Sequence, residues 1–346
     1  MAAEESVCAD GLSYGNDIVF VVVMAVKTSL AMAGCPSFLF IYAKQRLTAI
    51  FHPNARLILT FHIGFVCCCM IGIIFGEGFD LLRFTVLRWI YHDSDCPIPG
   101  MSPYYSTLIK LLKILGYTGS TYTATGWALE RALATVFINS YEQKKNFLGW
   151  VLCVLATIIA MLLVAVRYVL GEYDKLLPVT MITGHSYYLS MLSQFVSAGL
   201  EVFNVLVFFI IWIITFRRLK DSERIMSSLT YKYQLRENII ATALIFPLAL
   251  LHCIAYFPTA LLMPVFSLRA HNEVERFKAI AYTDCMPIYF VALPALLWWR
   301  NGAQKNSIKK MVQSNFLGEE FANKRKEGKV ETAKHFEVLD QMFQGK

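Results

Sequence analysis

The sequence predicts an all-α integral membrane protein, a bundle of seven transmembrane helices with its N-terminus outside and its C-terminus inside. Three observations predict it. Charged residues make up only 16% of the 346-residue chain and apolar ones 56%, with a mean hydropathy of +0.49. Soluble domains carry about 25% charged residues. Seven segments are apolar over the roughly 20 residues that a helix needs to cross the hydrocarbon core. Lys and Arg are also spread unevenly between alternate loops.

The seven segments are 18–43, 57–76, 104–129, 147–166, 189–216, 239–266 and 279–299. They divide the chain into an outer N-terminus (1–17), a seven-helix domain (18–299) and an inner tail (300–346). The third segment is the most polar, with Lys110, Lys113 and many Ser and Thr, which suits an interior helix. The sixth carries no formally charged residue and holds Pro247, Pro258 and Pro264. Proline removes a backbone donor and favours a kink, which membrane helices tolerate when neighbours re-satisfy the freed carbonyls.

Orientation follows from the bases. With the N-terminus outside, the inner segments 44–56, 131–146, 217–238 and the tail from Arg300 hold three, three, six and ten Lys and Arg. The outer segments 1–17, 80–103, 168–188 and 267–278 hold none, two, one and three. The positive-inside rule therefore places the loops this way round. The first 17 residues lack a basic n-region, and the apolar run after them is too long for a signal-peptide core. The first span is expected to act as an uncleaved anchor.

Seven cysteines (Cys35, Cys67, Cys68, Cys69, Cys153, Cys253 and Cys285) fall within spans, where a thiol behaves as a small apolar group. Cys8 and Cys96 lie outside. An oxidising exterior permits them to pair; two free or differently paired thiols is the alternative. There is no HExxH, CxxC, Gly-rich phosphate loop or GxSxG, so no catalytic motif or metal site is expected. The chain reads as a non-enzyme.

One run stands out, WALERALATVFINSYE at 127–142. It ends the third span with the adjacent pair Glu130–Arg131. An acid and an arginine where an apolar helix leaves the membrane make a charge pair that can lock or release; a plain stop signal is the alternative. Two further blocks are FHPNARLIL (51–59), opening the second span, and LTYKYQLRENI (229–239), entering the sixth. In the latter, Gln234, Glu237 and Asn238 share one helical face.

Together these blocks resemble the Sre (epsilon) class of nematode serpentine chemoreceptors, within the Sra superfamily, from the second span to the sixth. The resemblance implies a G-protein-coupled chemosensory receptor in the plasma membrane of sensory cilia. Its partners would be a small-molecule ligand in the outer half of the bundle, a heterotrimeric G protein at the inner face and the lipid bilayer. No cofactor and no nucleic acid is implied. In this reading Glu130 holds Arg131 at rest and releases it to the G protein. Tyr141 and Glu142, before Lys144 and Lys145, would form a G-protein contact; a basic lipid anchor is the alternative. Glu237 would pair across the helix gap, with Arg131 as its candidate partner; ordinary helix-end polarity is the alternative.

Ionisable groups inside spans cost roughly 2.5–3.5 kcal/mol each on insertion scales and are functional candidates for that reason. Lys113 lies 18 residues before Arg131, about 27 Å up a helix. In amine receptors that place holds the ligand-binding Asp, so a lysine there points to an anionic or acceptor-bearing ligand. Glu201 and Asp284 are ligand-binding candidates beside it; snorkelling of Lys113, or its pairing with Glu201 or Asp284, is the alternative role. Lys110, one turn higher, is also placed to snorkel outward. Lys27, His62, Glu77 and Arg167 read as structural polar contacts.

Some features depart from rhodopsin-like receptors. Ser106 stands where those receptors carry a cysteine, and the second outer loop, 171–188, has none to pair with it. The seventh span reads LPALLWW (293–299), without the Asn or Tyr of Asn-Pro-x-x-Tyr, and the second lacks the sodium-binding Asp. After it, Ile308, Met311, Val312 and Phe316 follow helical spacing with Lys309 and Lys310 opposite, as in a helix lying on the membrane. Two rival classes remain open on sequence alone: a seven-helix chemosensory ion channel with its N-terminus inside, and a transporter or orphan membrane scaffold.

Overall fold

The structure, a computed structural model, describes residues 2–43, 52–92, 96–137, 147–181, 186–224 and 229–299. Residues 1–296 form one compact unit, and of a second, 297–346, only 297–299 are described. Among the described residues the fold is all helical. It runs α1 (Ala2–Gly15), α2 (Ile18–Ala43), α3 (Pro53–Leu82), α4 (Pro103–Val136), α5 (Phe147–Val169), α6 (Ser186–Arg224), α7 (Leu229–Arg269), α8 (Glu273–Thr283) and α9 (residues 286–299). Helix α3 continues through a π turn at Arg83–Leu87 and a last turn at Arg88–Ile90.

Six spans are long and apolar enough to cross a membrane: α2, α3 with its extension, α5, α6, α7 and the α8–α9 pair. The seventh, α4, is too polar to qualify by hydropathy, yet its 34 residues reach about 51 Å at 1.5 Å each. It is the interior helix. Most of its residues from Gly116 to Arg131 are buried, and a buried helix needs no apolar face toward lipid. Helix α5 is the opposite case. Its buried positions are Arg167 and, at helical spacing, Gly149, Cys153, Ala156 and Ala160, a small-residue stripe that lets backbones approach. Its large side chains, among them Trp150, Leu155, Ile158 and Leu162, face outward.

Helices α3 and α4 approach so closely that glycine is required between them. A Cβ on Gly72 would lie 2.6 Å from the Lys113 backbone nitrogen, and one on Gly116 would collide with the Cys69 backbone nitrogen.

The end of the bundle that carries α1 is the upper end here. Helix α1 is tied down by the Cys8–Cys96 disulfide, with Cα atoms 5.7 Å apart. Its Tyr14 is buried with Phe20, Phe84, Ile98, Val179 and Phe277, so α1, α2, α3, α8 and both upper loops share one apolar cluster. Asp17 caps α2 by accepting from the Phe20 N–H at 3.1 Å. Lys278 of α8, 2.8 Å away, holds that carboxylate below its usual pKa range.

Three expectations change. The stretch from Asp80 reads as loop because it is charged, but α3 continues to Ile90. Asp80 and Arg83 pair one turn apart at 3.0 Å and stay buried in the helix. The third span continues past 129 to Val136, which places Glu130 and Arg131 inside the helix rather than at its exit. The seventh span starts earlier, at Glu273, and breaks at Asp284–Cys285. Pro287 explains the break, since it has no N–H to offer residue 283 and its ring clashes with that carbonyl. The segment 308–316 and the rest of the tail lie outside the described residues.

Candidate functional site

Lys110, Lys113, Ile114 and Tyr117 recur on α4 at spacings of three and four, so they share one face. That face borders a cavity of about 170 Å³ at the upper end. Arg167 of α5, Met191 and Gln194 of α6, and Thr259 and Met263 of α7 form further walls. Helix α8 closes it with Glu273, Arg276, Phe277 and Ile280, while Asp284, Ser190 of α6 and the loop residue Met181 complete the lining.

Beneath the cavity lies a closed set of ion pairs drawn from four spans. Lys27 of α2 meets Glu77 of α3 at 2.6 Å and Asp284 at 3.0 Å. Lys113 of α4 meets the same two carboxylates, Asp284 at 2.6 Å and Glu77 at closer range. Two bases and two acids balance, which is how buried charge is tolerated. Asp284 can reach all of them because the helix is broken there. Its Oδ1 accepts from the Met286 N–H at 3.2 Å, opening α9, while Oδ2 faces the lysines. A carboxylate at a helix N-terminus also meets the positive end of the helix dipole.

Below this cluster runs a layer of buried polar rings. Ser120 donates to the Tyr256 hydroxyl at 2.7 Å, and the Tyr256 ring stacks on His252 at 3.7 Å. His252 meets Glu201 of α6 at 3.0 Å. His62 of α3 bonds Thr123 at 2.9 Å and Tyr289 of α9 at 2.7 Å, and its ring lies 4.6 Å from Trp127. Every one of these side chains is buried. The layer links α3, α4, α6, α7 and α9 between the two ends of the bundle.

At the lower end Arg131 binds Glu130 through two nitrogens, Nε and a terminal one, with both side chains almost fully buried. A bidentate pair fixes orientation as well as charge. Asn238 of α7 accepts from Arg131 at 3.5 Å and donates to the Thr135 hydroxyl at 2.9 Å. Thr135 in turn donates to the Arg131 carbonyl at 2.8 Å, and Arg218 of α6 donates to the Thr135 carbonyl at 2.6 Å. Helices α4, α6 and α7 are thus joined around Arg131.

The candidate residues from the sequence therefore divide. Glu130, Arg131 and Asn238 come together. Gln234 and Glu237 lie on α7, with side chains outside the described set, and Tyr141 and Glu142 lie outside the described residues altogether. In the described contacts Asn238 is an α7 partner of Arg131, while the expected pairing of Glu237 with Arg131 lies outside them. Lys113 pairs with Asp284 and Glu77, whereas Glu201 pairs with His252, about two turns deeper than the cavity residue Gln194. Lys110 sits over the Phe277 ring, 5.1 Å from its centroid. His252, Tyr256, Thr135 and Arg218 did not stand out in the sequence. A lone His in an apolar span was the one available signal.

Over residues 6–321 the sequence matches the family model described as serpentine type seven-transmembrane GPCR receptor class ab chemoreceptor. No curated protein matches the sequence. The class matched is ab, not the epsilon class that the three sequence blocks suggest. Related classes of one superfamily share parts of those blocks, so the blocks carry the superfamily and not the class. The chain belongs to the serpentine seven-transmembrane chemoreceptors, an integral membrane family of G-protein-coupled receptor type.

Proposed function

We propose that the protein binds a small molecule in the upper cavity and activates a heterotrimeric G protein at its lower end. The upper end faces outside, in the plasma membrane of a sensory ending. The bias of Lys and Arg toward the opposite loops supports this orientation, as does a disulfide at the upper end, which an oxidising exterior maintains.

The observation that carries the reading is the buried Glu130–Arg131 pair with Asn238 of α7 beside it. A buried ion pair is a two-state element. It is stable while closed; separating α7 from α4 withdraws Asn238 from Arg131, and opening of the pair with Glu130 then frees the guanidinium toward the inner face. A ligand shifts this equilibrium only by binding one state more tightly than the other. The cavity wall is built from α4, α5, α6, α7 and α8, and three of these, α4, α6 and α7, are the helices joined around Arg131.

A G-protein dissociation sensor in cells expressing the full chain tests this. Glu130→Gln is expected to raise ligand-independent signalling, and Arg131→Ala to abolish it, both at unchanged surface level. Surface-expressed Glu130→Gln that stays silent with every Gα family would refute coupling. An N-terminal tag that antibodies label on intact cells supports the orientation, and a protected tag overturns it.

A further inference from the structure

The charges around the upper cavity do not balance. Four bases and two acids line it. Lys113 and Asp284 belong to the neutral four-membered cluster beneath. Glu273 and Arg276 lie one turn apart on α8 and cancel in sign. Lys110 and Arg167 remain, and among the described residues neither meets a carboxylate. Lys110 instead sits over the face of Phe277. Arg167 donates one terminal nitrogen to Ser193, while its buried Nε has no partner. Gln194, on the same wall, has a buried Oε1 with no partner either.

Arg167 is buried and Lys110 half-buried, and cations withdrawn from water without a counter-charge are costly. Beside Tyr117, Ser190 and Thr259, the wall carries the apolar, adaptable side chains of Met181, Met191, Met263 and Ile280. Methionine is flexible and polarizable, so such a wall suits varied apolar shapes. The space of about 170 Å³ is close to that of an engineered cavity of about 150 Å³ that holds benzene.

Resting on the receptor reading above, we propose that the ligand is a compact organic carboxylate. Its head group lies between Lys110 and Arg167, and an apolar body of about benzene size lies against the methionines. The guanidinium supplies planar recognition of the carboxylate, Lys110 supplies a point charge, and Gln194 presents an amide to the same space. Lys113 is not the anchor, because two carboxylates already hold it.

Thermal stability of the purified full chain in detergent tests the class without any G protein. Benzoate and hexanoate are expected to raise the unfolding temperature in a dose-dependent way. Benzamide, benzylamine and hexanamide, which match them in size, are expected not to. Lys110→Met and Arg167→Met should each weaken the benzoate response at least tenfold, and Lys110→Arg should retain it. A long-chain fatty acid should be no better than hexanoate; a better one means that the apolar body is a lipid tail, and overturns the compact ligand.

Equal stabilisation by amides or amines overturns the proposal. So does the absence of any carboxylate response up to millimolar concentration, a comparison that needs no variant to fold. Carboxylate binding without signalling leaves the ligand class standing and overturns the receptor reading. Signalling evoked only by neutral or cationic compounds does the reverse.

Discussion

Ser106 and Met181 are joined twice: the Ser106 hydroxyl donates to the Met181 carbonyl at 2.9 Å and accepts from the Met181 N–H at 2.8 Å. Ser106 stands at the top of α4, where rhodopsin-like receptors carry a cysteine bonded to the loop that Met181 belongs to. Here hydrogen bonds do the tethering. Asp80 adds to them, accepting from the Thr180 N–H at 2.8 Å and from the Thr180 hydroxyl. Met101 and Leu177 exchange backbone bonds at 2.8 and 3.0 Å.

Ser106→Ala is expected to leave two backbone groups of Met181 without a partner. An unsatisfied buried polar group costs about 1–3 kcal/mol. Because Met181 lines the cavity, the loss should fall on ligand affinity more than on global stability. Binding isotherms of the variant, set beside its thermal unfolding, check this. Unchanged affinity with a lowered unfolding temperature would place the tether outside the ligand's reach.

The four-membered cluster makes a sharper demand. Lys27→Met leaves two buried carboxylates facing one lysine. Breaking a buried pair by removing one partner costs about 3–5 kcal/mol. Lys27→Met combined with Glu77→Gln restores neutrality and is expected to recover part of that loss. The measurement is thermal inactivation of the three proteins in detergent. A double variant no more stable than the single one shows that the cluster is not balanced as described.

Much of this was legible in the sequence, for identifiable reasons. Glu130 and Arg131 are adjacent, so their pairing requires no knowledge of the fold. Lys27, Glu77, Lys113 and Asp284 each show as charges in apolar segments, but their partnership needs four helices to be placed in space. Asp80 and Arg83 read as loop because charge usually ends a span; pairing them one turn apart lets the helix continue. His252 and Glu201 were hidden more deeply. Glu201 is the lone acid and His252 the lone imidazole of its own span, and only the register of α6 against α7 shows that they meet.

Cys8 and Cys96 are separated by 88 positions, and closing a loop of that order stabilises by up to about 4.7 kcal/mol in the chain-entropy account. Helix α1 also covers the apolar cluster at the upper end through Tyr14. Cys8→Ser is therefore expected to lower stability and to expose α1 to protease. Dithiothreitol should lower the unfolding temperature of the wild type and leave that of Cys8→Ser unchanged. A reductant effect of equal size in both proteins would falsify the bond's contribution.

Asn238 is the one described α7 side chain that touches Arg131, and it also donates to Thr135. Its removal acts differently from removal of Glu130. Asn238→Ala leaves the bidentate pair on α4 intact but removes the Asn238 link from α7 to that pair. If closure depends on α7 being held against α4, basal signalling rises by severalfold and ligand potency rises with it, since less work is needed to open the bundle. If the charge pair alone sets the resting state, Asn238→Ala signals like the wild type while Glu130→Gln does not. Basal and ligand-evoked responses of the two variants, at matched surface levels, separate these cases. Asn238→Asp refines the comparison, because a carboxylate in that place competes with Glu130 for Arg131. It is expected to tighten the link between α7 and α4 and to lower basal signalling below that of the wild type.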